Sequence, residues 1–159
     1  MSATIKASAS VPFLARFALT TLEPLSALFG TLIAFRTPQT FVAVYLTRGA
    51  TGGSLEAHAL LDQMAGLWVV WAFNEAIIMR MYDDLQLWRL LCLGMLFSDA
   101  AYLYGAAHAV GGFASLFDVG KWTADEAATT IAATFFLLTR VSVVLGLGVR
   151  KTGAKERRN

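Results

Sequence analysis

The sequence predicts an all-α protein, a four-helix transmembrane bundle with both termini cytoplasmic. Three observations carry that expectation. The 159-residue chain is 57% hydrophobic and only 15% charged, whereas roughly 25% of residues are charged in ordinary soluble domains. Its apolar residues gather into four runs, each near the ~20 residues that a membrane-crossing helix needs. Lys and Arg collect at one set of run ends, the asymmetry that orients membrane proteins. The mean hydropathy of +0.58 agrees.

The chain divides into a polar N-terminal tail (1–10), a four-span membrane domain (11–149) and a basic cytoplasmic tail (150–159). The first span is expected over 11–35, where Arg16 and Glu23-Pro24 interrupt an otherwise apolar run. The run continues past Pro24 to Phe35 without a small-x-small cleavage site, which reads as a retained helix rather than a signal peptide. Pro24 should bend it, because proline removes a backbone donor and its ring crowds the preceding turn. Between Thr37 and Glu56, Pro38, Gly49, Gly52 and Gly53 signal a loop, with FVAVYL as a short interfacial helix. The second span is expected from about Ala57 to Met81, the third from Leu85 to Val110, and the fourth from Glu126 to Val149.

With four spans, Lys6, Arg16, Arg80, Arg89 and the tail RKTGAKERRN fall on one side, and Arg36, Arg48 and Lys121 on the other. The richer side should be cytoplasmic. Trp88 and Trp122 sit at span ends as interfacial anchors. Small residues recur every fourth position at Ser26, Gly30 and Ala34, and again at Ala101, Gly105 and Ala109. Such stripes let helices approach closely.

Several function classes drop out. A formal charge of +2 with no basic, aromatic-interleaved helix gives no footprint for nucleic acid. Cys92 stands alone inside an apolar run, and His58 and His108 have no ligand spacing, so no metal site and no bound cofactor are expected. There is no phosphate-cradling Gly-rich loop, nucleophile elbow or redox Cys pair.

Four ionisable side chains remain inside the spans: Glu23, Glu75, Asp99 and Arg140. A charge at the bilayer centre costs about 2.5–3.5 kcal/mol on insertion scales, so these groups should face the bundle interior and find partners there. At about 1.5 Å rise per residue, Glu23 and Arg140 fall near mid-depth, Glu75 shallower and Asp99 deeper. All four helices can then feed one polar layer. Three acids against one Arg carry surplus negative charge, which favours a proton retained on one carboxyl. A neutral carboxylic acid can protonate an alkene, epoxide or carbonyl while an ionised neighbour removes a proton elsewhere.

Around that layer, Trp68, Trp71 and Glu75 are spaced by three and four residues and share a helix face, where indole rings suit a cationic intermediate. Tyr102 lies one turn after Asp99, Asn74 adjoins Glu75, and Phe136 precedes Arg140 by one turn. The bland readings stand beside these. Glu75 with Asn74 can act as an interhelical clamp to Arg140 or to the broken first helix, Glu23 can satisfy backbone freed by Pro24, the Trp pair can be packing, and His108 can be interfacial.

At LEPLSALFG (22–30), FNEAIIMR (73–80) and LWRLLCLGMLFSDAAYLYG (87–105) the chain resembles a family of small fungal integral-membrane proteins classed as a domain of unknown function. The resemblance covers most of the chain and carries over Glu23-Pro24, Asn74-Glu75, Arg89, Asp99 and Arg140. A His of the third-span motif is Tyr102 here. It implies a fungal source and a setting in specialised metabolism. The architecture is also similar to the emopamil-binding superfamily of sterol isomerases and sterol-binding receptors, although that family's catalytic His and Trp pattern has no counterpart in this chain.

The resulting expectation is a cofactor-free isomerase or cyclase in the endoplasmic reticulum membrane. Its substrate would be terpenoid, sterol-like or polyketide-derived. Glu75, Asp99 and Glu23 would be catalytic, with Trp68, Trp71, Asn74, Tyr102 and Arg140 lining the substrate. Partners would be a lipophilic small molecule, membrane lipids, and either a second copy or other membrane enzymes. The competing expectation is a non-catalytic lipid-binding or scaffold protein.

Overall fold

The computed structural model describes residues 5–45 and 55–148, and among these every regular element is helical. A single turn, α1 (Ala7–Ser10), precedes α2 (Phe13–Arg36). A short α3 follows (Pro38–Tyr45), then α4 (55–81), α5 (Leu85–Ala109), α6 (Phe113–Leu116), a 3-10 turn (Val119–Lys121) and α7 (Ala124–Leu145). Arg48, the glycines at 49, 52 and 53, and the basic tail 150–159 lie outside the described residues.

Three helices are long and apolar enough to cross a membrane: α2, α5 and α7. By length and composition they mark a membrane protein. The fourth long helix, α4, is not among these three; Asp62 and Gln63 near its start and Asn74, Glu75 and Arg80 towards its end interrupt its apolar residues.

Local chemistry explains the element ends. Thr123 accepts from the Glu126 N–H while the Glu126 carboxylate accepts from the Thr123 N–H, a capping box that starts α7. Asp84 caps α5 through the Gln86 N–H. α7 stops at Leu145 because Gly146 adopts φ +71°, a left-handed cap. The regular helix therefore ends at Leu145, short of the expected Val149, with Arg140 five positions, roughly 7.5 Å, from that end.

Two long-helix pairs build the bundle, α2 against α4 and α5 against α7. In the first pair, Ala34 and Ala65 are fully buried, Gly30 lies under the Trp68 ring, and the Thr31 hydroxyl donates to Ala65 O across the seam. The small-residue stripe of α2 therefore packs at Gly30 and Ala34, as small residues permit, while Ser26 is exposed. The second stripe does not pack: Ala101, Gly105 and Ala109 are exposed on α5.

The N-terminal segment is not a free tail. Ala7, Ser10 and Val11 are buried, and Ala7 and Val11 join the core formed by Leu19, Met79, Trp88, Cys92, Met95 and Val143. Ser8 pins the segment to the α4–α5 connection, its N–H and hydroxyl donating to the two Asp83 carboxylate oxygens at 2.6 and 2.5 Å. Cys92 is free and buried, as its apolar run implied.

Candidate functional site: a buried ionic layer

The layer begins with two irregular turns. Ala18–Leu22 in α2 and Asn74–Ile78 in α4 wind as π-turns and pack against each other. Single π-turns within α-helices are uncommon and often mark functional positions. In α2 the cause is readable: Pro24 has no N–H, so Thr20 O loses its usual partner four residues on. The Glu23 N–H bonds back to Ala18 O, and the orphaned Thr20 O accepts from Arg80 Nη2 at 2.7 Å. The same nitrogen donates to the Thr21 hydroxyl at 2.8 Å. The bend expected at Pro24 thus takes the form of a π-turn stapled by a side chain from α4.

Glu23 follows the first π-turn and Glu75 lies in the second. Both aim at Arg140 of α7, which Asp99 of α5 meets from another side. Arg140 Nη1 donates to Asp99 Oδ2 at 2.6 Å, while Nη2 contacts Glu23 Oε1 closely and Glu75 Oε1 at 3.5 Å. Each of the four long helices supplies one charged group. Charge-assisted contacts of this kind are the strong class of hydrogen bond.

Burial is deep but graded. Side-chain exposure is 1% for Glu75, 3% for Arg140, 12% for Glu23 and 18% for Asp99. Two buried polar atoms, Glu23 Oε2 and Arg140 Nε, make no hydrogen bond within the protein. Three carboxyls thus share one guanidinium in a dry layer, an arrangement that can hold and pass a proton. Among the described residues no group of three or more His, Cys, Asp or Glu is disposed to hold a metal ion.

The remaining sequence-selected residues disperse. Trp68 packs into an apolar cluster with Ala34, Phe41, Val42, Leu61 and Ala65, its ring 5.4 Å from that of Phe41. It lies two helical turns from Glu75, so it packs against α2 and α3 rather than lining the acid layer. Trp71 and Asn74 are half-buried on α4, one turn and one residue before Glu75. Tyr102 is 40% exposed on α5. His108 is exposed and stacks on Tyr104 beside a hollow of about 370 Å³ at the far end of α5.

Trp88 departs from its expected interfacial place. It is buried, and its Nε1 donates to both Met79 O and Tyr82 O at the end of α4, at 2.9 and 3.1 Å. Those carbonyls have no following helical turn to satisfy them. Trp122 makes a comparable bond to Leu116 O at 2.8 Å. Arg89 lies against the end of α7, with Nε 3.2 Å from Val143 O, where a cation complements the helix dipole.

The fold and layer define a helical membrane protein with a four-helix ionic centre. The chain belongs to the family described as Domain of unknown function (DUF7704), which it matches over residues 8–150. Comparison with curated proteins and with solved structures gives no significant match.

Proposed function

We propose that this protein is a cofactor-free isomerase or cyclase that moves a proton on a lipophilic substrate of terpenoid, sterol-like or polyketide-derived type. The observation that carries the reading is the excess of buried acid: Glu23, Glu75 and Asp99 converge on one guanidinium from three different helices. A neutral carboxyl in this layer donates a proton to an alkene carbon or to an epoxide or carbonyl oxygen. An ionised carboxyl removes a proton from a neighbouring carbon, and the net proton count is unchanged. Asp99 and Glu23 serve as acid and base, Glu75 sets their protonation from within the layer, and Arg140 holds the charge balance.

In the same proposal α4 is a fourth crossing, its early polar residues near the headgroups, and the protein is multi-pass. Both termini are cytoplasmic. In support, the α1 segment, the α4–α5 connection and the end of α7 share one end of the bundle with Lys6, Arg16, Arg80 and Arg89. The endoplasmic reticulum, a fungal source, specialised metabolism and kinship with the emopamil-binding superfamily rest on resemblance alone.

A second reading has its own observation. Arg140 is gripped by acids from the other three long helices, the geometry of a lock that holds a lipid-binding or scaffold protein together. Metabolite profiles of a host lacking the gene separate the two, when it is complemented with the native chain, Asp99→Asn or Glu75→Gln at matched membrane levels. The enzyme reading expects a precursor that only the native chain clears. Equal clearance by all three chains contradicts it.

A further inference from the structure

We propose that Asp99 is the acid that touches the substrate, that the substrate enters laterally from the lipid through the half of the bundle beyond the ionic layer, and that Tyr102 stands at that entrance. This rests on reading the layer as an acid–base site. On one side of the layer the α5–α7 pair is tight: Leu85, Trp88, Cys92 and Met95 of α5 and Val143 of α7 are buried. On the other side it is open. From Leu96 to Ala106 α5 buries no residue, and α7 buries none from Ala124 to Thr139.

Asp99 sits where tight packing gives way, one turn past Met95, and is the most exposed of the four charged side chains. Glu75, at 1% exposure, is sealed behind Arg140. It therefore acts on the reacting group through Arg140 as a positioning residue. Two unpartnered polar atoms, Arg140 Nε and Glu23 Oε2, belong to residues 98% and 91% buried in this layer. They leave donor and acceptor capacity in the layer, beside Asp99, for a ligand oxygen. The ligand this geometry fits has a long apolar body, matched to the lipid-like walls, and one terminal oxygen.

The test is photolabelling of the full chain in lipid nanodiscs with a diazirine-bearing long-chain ketone, with adducts mapped by mass spectrometry. The competitors are the same ketone without diazirine and the matched hydrocarbon. The expected result is saturable labelling within 99–106 and 124–139, displaced by the ketone and not by the hydrocarbon. In Asp99→Leu, which has no donor for the ketone oxygen, half-saturation should weaken roughly tenfold, the scale of one lost hydrogen bond. Tyr102→Trp, at a 40% exposed position one turn past Asp99, should weaken it by a similar factor, so the proposal stays testable if the Asp99 variant misfolds.

Glu75→Gln should leave ketone affinity within about twofold while shifting the pH profile of labelling, which a merely structural residue would not do. Uniform, unsaturable labelling along every lipid-facing helix would overturn the entrance. Saturable labelling indifferent to Asp99→Leu would overturn the role of Asp99. Labelling reads binding rather than turnover, so saturable labelling together with an unchanged metabolite profile would reject the enzyme reading and keep the binding site.

Discussion

Two carboxylate devices in this molecule accept hydrogen bonds in opposite surroundings. At Arg140 three carboxyls meet a guanidinium in a layer where Glu75 and Arg140 are almost completely buried. At the bundle end, Asp83 accepts two bonds from Ser8 on an exposed connection. Removing one partner from a buried set strands the others without water, whereas water replaces an exposed partner at little cost. The first device should therefore govern whether the helices assemble, and the second only how firmly α1 is held.

The largest effect is expected for Arg140→Met, which leaves three acids buried without a counter-charge. Thermal unfolding in detergent should report a loss of about 3–5 kcal/mol or failure to accumulate in membranes. A loss below about 1 kcal/mol would erase the distinction between the devices. Trp88→Phe comes next, since it removes the donor shared by Met79 O and Tyr82 O, and should cost about 1–3 kcal/mol in the same assay. Gly146→Ala should follow at about 1–2 kcal/mol. It puts a Cβ at positive φ and 2.8 Å from Arg89 Nη2, and the flexible Arg89 head can partly yield.

The smallest effect belongs to the exposed device. Ser8→Ala should cost less than about 1 kcal/mol. The Ser8 hydroxyl and, more weakly, its N–H and the charges of Lys6 and Arg16 hold the Asp83 carboxyl below its ordinary value of 3.8. A carboxyl lowered on folding contributes stability above its unfolded value and loses it as pH falls through the folded one. Protection of the α1 segment from proteolysis should thus be full at neutral pH and fade only below about pH 4. Asp83→Asn should remove that acid-dependent step.

These contrasts also show what the sequence carries. The membrane-length helices and the four ionisable side chains were legible because a charge inside an apolar run is costly and must find a partner. Their convergence on Arg140 followed from that cost rather than from any motif. The π-turns were not legible, although Pro24 carried half the signal, since the carbonyl it strands at Thr20 needs a donor from elsewhere. That the donor is Arg80 depends on tertiary contact. Trp88 misled because an indole at a span end fits both a lipid headgroup and a stranded helix carbonyl. Trp68 misled because its spacing from Glu75 fixes a shared face and says nothing of which neighbour fills each turn.

The proposed chemistry needs a neutral carboxylic acid held in the layer, ready to donate a proton. Infrared spectroscopy of the chain in lipid at neutral pH tests it directly, through the carbonyl stretch of a protonated carboxyl and its shift in heavy water. Such a band is expected in the native protein, diminished in Asp99→Asn, Glu75→Gln or Glu23→Gln. A native spectrum with only ionised carboxylate bands would contradict it and leave the layer as a lock between helices.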